Sequence, residues 1–204
     1  MVLASGSPAR LATLRAAGLD PAVLTSGIDE DAVAATLADA TPARVAAVLS
    51  AAKCAAVAAV LHAPAPTLVV GCDSLLELDG ARYGKPADAD EAVALWRRMR
   101  GRTGVLHTGH CVRLLPGGDE RQAVASTTVH FADVSDAEVE AYVRSREPLA
   151  VAGAFTVDGL GGAYVRGVEG DPHNVVGISL PLLRDLIADL GTVWHTLWAH
   201  RGSR

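Results

Sequence analysis

Leu68-Val69-Val70-Gly71-Cys72-Asp73 is the stretch that decides the architecture. Five consecutive apolar or small residues, with two valines at their centre, read as a strand buried on both faces, and such a strand needs a covering layer on each side of its sheet. Asp73 ends the run. In open α/β sheets, ligands bind in the crevice outside the carboxyl ends of such strands, so a carboxylate there suits a general base or a metal ligand. A turn cap formed with Ser74 is the plain alternative.

A long helix is predicted just upstream. Thr41-Pro42 places a capping hydroxyl before a proline suited to the first helical position, and an alanine-rich helix follows. Val45, Leu49, Val57 and Leu61 recur every four residues along it, and Lys53 falls on the same row. Burying an unpaired ammonium costs several kcal/mol, so Lys53 either snorkels out or meets an anion in a cleft. Its central position favours the cleft.

The chain start supplies another candidate site. Val2-Leu3-Ala4 reads as a short strand, and Ser5-Gly6-Ser7-Pro8 as a turn opening a helix that runs to Gly18. Free N–H groups, the positive helix end, two hydroxyls and Arg10 converge there, an arrangement suited to phosphate; an ordinary helix capped by Ser7 is the alternative. The Gly-x-x-x-x-Gly-Lys spacing of a P-loop is absent. A strand near 22–25 and an acidic turn, Asp29-Glu30-Asp31, come next. Glu30 offers a second carboxylate, and two carboxylates with polyphosphate oxygens are how Mg²⁺ is usually held; a solvated loop acid is the alternative.

Downstream, Leu75 to Leu78 reads as a strand entering a turn at Asp79-Gly80, with Gly84-Lys85-Pro86 on the return. Asp90 to Arg100 is a helix. Val105 to Leu115 and Ala123 to Phe131 form a long antiparallel pair around Pro116-Gly117-Gly118-Asp119, and Ser135 caps a helix near Glu138 to Arg144. Gly153 to Gly177 is glycine-rich loop and strand. A helix from Pro181 to Leu190 closes at Gly191, and residues 192–204 read as an adapted or frayed tail. The alternation predicts an α/β fold with a mixed sheet, in a single domain over 1–204.

Composition narrows the function. Among 204 residues, 50% are hydrophobic, which excludes a disordered chain, and the net charge of -5 argues against nucleic-acid and anionic-membrane binders. Only two of 18 cationic residues are lysines, Lys53 and Lys85. Lysine is a compact point charge suited to phosphate oxygens, so its retention at two patterned positions points to an anion. Cys54, Cys72 and Cys111 are too scattered for a metal ribbon or a disulfide framework and suit a reducing compartment. The N-terminus reaches a turn too early for a secretory apolar region, and Ala43 to Ala63, the most membrane-like stretch, carries Lys53 at its centre. A cytoplasmic protein is expected. His107 and His110 lack a third zinc ligand nearby and read as polar sheet residues, while Trp96, Trp194 and Trp198 read as packing.

Taken together, Leu3-Ala4-Ser5-Gly6-Ser7-Pro8-Ala9-Arg10, Asp29-Glu30, Lys53, Gly71-Cys72-Asp73-Ser74, Gly84-Lys85-Pro86, Gly159-Leu160-Gly161-Gly162 and Val175-Val176-Gly177-Ile178-Ser179-Leu180-Pro181 resemble the Maf family. Each motif is weak alone; the ordered set is specific. The resemblance implies an inosine-triphosphatase-like α/β fold with two lobes around a cleft. It also implies metal-dependent hydrolysis of nucleoside triphosphates, modified or non-standard ones included, to monophosphate and pyrophosphate. Ser5, Ser7 and Arg10 would bind phosphate, Lys53 and Lys85 would hold the triphosphate, and Glu30 and Asp73 would serve Mg²⁺ or Mn²⁺ and water, Asp73 as the catalytic group. A nucleotide-pool house-cleaning role with an influence on cell division, and a homodimer, would suit the family.

The chain departs from the family's usual pattern at Cys72-Asp73-Ser74 and at Ala9. Those positions and Asp158 look like the ones that set base preference. An acceptor-only carboxylate at 158 matches the N1–H and N2–H donors of a guanine-type edge, which predicts purine selection. Two other readings stay open: a nucleotide-binding regulator of division without turnover, and a transferase that releases pyrophosphate only with an acceptor.

Overall fold

The central strand is longer than the apolar run that announces it. The computed structural model describes residues 1–199, and there the strand runs unbroken from Thr67 to Leu78. Asp73 therefore lies inside a strand, and the expected break between Cys72 and Leu75 does not occur. The partner explains the continuity, because Val105 to Leu115 pairs with 67–77 residue for residue and leaves no room for a turn.

In chain order the elements are β1 (Val2–Leu3), α1 (Pro8–Ala16), β2 (Ala22–Val23), α2 (Glu30–Ala35), α3 (Pro42–Val60), β3 (Thr67–Leu78), β4 (Ala81–Tyr83), α4 (Ala89–Met99), β5 (Thr103–Leu115), β6 (Asp119–Phe131), α5 (Asp136–Arg144), β7 (Val165–Glu169), α6 (Pro172–Val176) and α7 (Leu180–Ala188). The sheet is mixed, in the order β2-β1-β3-β5-β6-β7, with β4 also paired to β3. β1 runs parallel to β2 and β3, and the other ladders are antiparallel. Most caps follow from local sequence: Ser7, Thr41, Ser135 and Ser179 each accept an N–H from the first turn of the helix behind them. Asp29 does the same for Ala32, so the expected acidic turn is a short helix, with Glu30 and Asp31 in the first turn where the dipole favours them.

α3 covers one face of β3 and β5. It is long and apolar enough to cross a membrane by length and composition, yet its stripe of Val45, Leu49, Cys54 and Val57 is buried against the sheet. The approach is close: a Cβ on Gly71 would run into the Ser50 carbonyl, and one on Gly109 into the Ala46 carbonyl. The opposite face carries two separate apolar clusters. α1 and α7 pack on Cys72, Val70 and Val112, while α4 and α5 pack on Leu76, Leu78 and Leu106 around a fully buried Trp96. Between them, Ser74 and Thr108 share a hydrogen bond of 2.9 Å. A polar seam thus divides two lobes.

All three cysteines are buried and unpaired. Trp96 meets Phe131, Tyr142 and Tyr164 edge-on, and its Nε1 donates to the Ala154 carbonyl at 2.7 Å. The segment after Gly191 is not frayed as far as it is described. Trp194 and Leu197 pack on the α1/α7 cluster, and Ala199 N donates to the Gly18 carbonyl, with the Trp198 ring over Gly18. Residues 200–204 of the expected tail lie outside the described residues.

Candidate active site

The two ladders on one edge of β3 leave a gap. β1 pairs as far as Leu3 with Val70, where Ala4 N donates to the Val70 carbonyl, and β4 begins pairing only at Leu76. Residues 71–75 thus have no strand partner on that edge. A cleft of about 1050 Å³ opens there, lined among others by Ser5, Lys53, Asp73, Lys85, Thr156 and Asp158.

Side-chain alternation sorts the wall. Gly71, Asp73 and Leu75 face α3, so Asp73 meets the one cation on that helix's buried row. Lys53 Nζ donates to Asp73 Oδ1 at 2.6 Å and pairs with Glu30 Oε2 at 2.8 Å. Lys53 and Asp73 are both 7% exposed, which rules out snorkelling. Burial pushes the Asp73 carboxyl above the usual carboxylate range, and Lys53 and Arg10 only partly offset it. α2 brings Glu30 to this point, and Arg82 on β4 holds α2 in place by donating to the Leu37 and Ala34 carbonyls. Among the described residues no group of three or more His, Cys, Asp or Glu forms a metal cage.

Ser74 faces the other way and belongs to a second network. Arg10 is buried, and its guanidinium donates to Ser5 Oγ at 2.9 Å, Ser74 Oγ at 3.0 Å and the Gly177 carbonyl at 2.7 Å. Ser5 Oγ also accepts from Ser7 N, and Ser7 Oγ from Arg10 N. The serines therefore spend acceptor capacity on shaping the turn. Arg10 commits three of its donors to ties between α1, β3 and the end of α6. Ser74, expected at a base-reading position, lines the cleft and positions Arg10.

Lys85 is exposed on the loop after β4 and has no ion-pair partner among the described residues. It shares the cleft with Ser7, Ala9 and Asp158, which make no hydrogen bond or ion pair to Lys53 or Asp73. The histidines are sheet residues as expected. His107 bridges Glu77 and Ser126, and His110 accepts from Ser179 N through Nε2 at 2.8 Å while its Nδ1 faces the Thr108 carbonyl.

Sequence reasoning missed Arg82, Thr108 and Glu147. Glu147 follows α5 and takes four hydrogen bonds, two of them from the backbone at 160 and 161. No periodicity or cap marks it, because its partners are Tyr142, 5 residues back in α5, and groups 9–14 residues ahead in an irregular segment. The glycines of 159–162 are the one visible trace.

Residues 1–190 match a family model described as Maf-like protein. The chain is 55% identical over 199 residues to the Nucleoside triphosphate pyrophosphatase of Salinispora tropica, spanning 98% of this chain and 87% of that protein. It is 55% identical over 199 residues to the protein of the same name from Streptomyces coelicolor, at 98% and 94% coverage. With the one from Nocardia farcinica it shares 54% over 205 residues, at 98% and 97% coverage.

Proposed function

The chain belongs to the Maf family, and from that premise we propose that it is a nucleoside triphosphate pyrophosphatase, cutting the α–β anhydride to give a nucleoside monophosphate and pyrophosphate. The observation that carries this reading is the buried Asp73 beside Lys53 at an unpaired sheet edge, in a cleft whose near wall offers hydroxyls and a second lysine. Asp73 orients water, which attacks phosphorus as the bridging P–O bond breaks. The water proton passes to the Asp73 carboxylate. Ser5, Ser7 and Lys85 bind phosphate oxygens, and Arg10 fixes the turn that presents them.

The donor set fits a divalent cation. Two carboxylates share a single ammonium, so the cluster carries an excess negative charge that Mg²⁺ or Mn²⁺ together with phosphate oxygens would neutralise. Glu30 and Asp73 would hold the ion, which when bound stabilises charge developing on the transferred phosphoryl oxygens. Lys53, which lines the same cleft, would help to hold the triphosphate.

By resemblance to the family, the substrates are modified or non-standard triphosphates, purines by the acceptor-only Asp158. The same resemblance supplies the nucleotide-pool housekeeping role, its influence on division, the cytoplasmic setting and the homodimer. Incubation with a panel of triphosphates and Mg²⁺, reading pyrophosphate against orthophosphate, tests the chemistry. Pyrophosphate equal to monophosphate is expected without any acceptor. Orthophosphate, or tight binding without product, overturns it, the latter in favour of a regulator.

A further inference from the structure

One carboxylate organises the far wall of the cleft. Glu147 opens a short 3-10 turn, Glu147–Ala150, behind α5. Its Oε1 accepts from the Tyr142 hydroxyl at 2.9 Å, Thr156 Oγ1 at 2.5 Å and Gly161 N at 3.0 Å, and its Oε2 accepts from Leu160 N at 3.0 Å. Tyr142 Oη in turn accepts from Thr156 N at 3.2 Å. The chain from 156 to 161 is therefore wound around a single anion.

The glycines record how tightly. A Cβ on Gly159 would stand 2.6 Å from Glu147 Oε2, and one on Gly161 would run into the Tyr142 hydroxyl and lie 2.8 Å from the Thr156 carbonyl. Gly159 and Gly161 are thus required by close approach to Glu147 and its partner. Burial works to raise the Glu147 carboxyl, but the hydrogen bonds from Thr156, Leu160, Gly161 and Tyr142 outweigh it and hold the group below its ordinary value, ionised and acceptor-only.

This wound loop is also cleft wall. Thr156 and Asp158 line the cavity beside Val151, Ala152 and Phe155, in the same cleft as the serines and Lys53. If phosphates take Ser5, Ser7, Lys53 and Lys85, the base is left the apolar lining of Val151, Ala152 and Phe155 with Asp158 as its carboxylate. We infer that Glu147 is a positioning residue for base selection, fixing the 156–161 loop, and with it Asp158, against the nucleotide's base. The inference rests on a nucleoside triphosphate occupying the cleft as proposed above.

Glu147→Gln, Glu147→Asp and Tyr142→Phe test it, with Kd and kcat/KM measured for ATP, GTP, UTP and dTTP in Mg²⁺. An amide must turn an N–H toward at least one of four donors, so Glu147→Gln should narrow the wild-type preference between best and worst base by about tenfold. The change should fall on KM and Kd, with kcat at saturation held within a few fold. Tyr142→Phe, outside the cleft, should shift the ranking in the same direction even if Glu147→Gln does not fold. Glu147→Asp, which keeps the anion, should recover part of the ranking. Equal loss for every base, or an unchanged ranking in Glu147→Gln and Tyr142→Phe, overturns the inference. Bases ranked by Kd but never hydrolysed sink the pyrophosphatase reading alone, since the ranking still reports on Glu147.

Discussion

Asp73 and Lys53 are a buried pair whose members answer to different demands. Holding a carboxylate away from water costs stability, since the raised pKa means the folded chain binds that proton more tightly than the unfolded one. Asp73→Asn removes that cost and the proposed base together, and leaves the Lys53 ammonium paired with Glu30. Turnover should fall about 10²-fold or more while the melting temperature is not lowered, checked by pyrophosphate release and a thermal melt. A melting temperature that drops sharply would make Asp73 a structural anchor. Lys53 must reach Asp73 and Glu30 at 2.6 and 2.8 Å from a buried helix row, and a planar guanidinium is larger and aims its donors along a fork. Lys53→Arg should therefore lose most activity despite keeping the charge, whereas Arg121→Lys on an exposed stretch of β6 should leave kcat/KM unchanged.

At the scale of elements, the contact of α3 with β3 sets the distance across which Lys53 meets Asp73. Glycine at 71 makes that contact backbone to backbone against the Ser50 carbonyl, and glycine at 109 on β5 does the same against Ala46. Gly71→Ala should lift the helix from the strand and destabilise the fold by about 1–3 kcal/mol, an overpacking cost. Denaturant melts give the stability, and activity should fall as well, because the Lys53 ammonium moves with the helix. Elements were also where local sequence spoke most directly. The cap at Ser7, the cap at Thr41, the cap at Ser135 and the turn at Asp79-Gly80 each depend on neighbours within a few residues, and each stands where the sequence places it. The break expected at Asp73 failed for the opposite reason. Whether a strand continues past a polar residue depends on its ladder partner, and here β5 supplies one through Glu77.

Across the whole molecule, His110 ties the sheet to the last helix. It is fully buried in β5, accepts from Ser179 N at the cap of α7, and burial lowers its pKa to about 4 from an ordinary 6.5. A folded pKa below the unfolded one means that the unfolded chain binds more protons between those values. Stability from this group is therefore complete above pH 6.5 and is lost as the pH falls toward 4, by up to about 3 kcal/mol. Asp73 acts in the opposite sense, its folded state favouring the proton. Urea midpoints at pH 7 and pH 4.5 should separate in the wild type, and the gap should shrink in His110→Gln; an undiminished gap would assign the acid loss to other groups.

What the sequence determined by itself was everything written in short-range code: caps, turns, the apolar run of β3, the long buried row of α3 with a lysine on it, and the ordered motifs shared with the Maf family. It placed Ser5, Arg10, Glu30, Lys53, Asp73, Lys85 and Asp158 on the list of candidates by type and position. The tertiary structure decided which of them meet. Lys53 joins Asp73 across 20 residues and Arg10 joins the Gly177 carbonyl across 167, while Glu147 gathers a loop that no periodicity announces. Caps and turns close within one hydrogen-bonded ring and carry their geometry in adjacent residues, but these pairings exist only once sheet register and helix packing have fixed where each side chain ends.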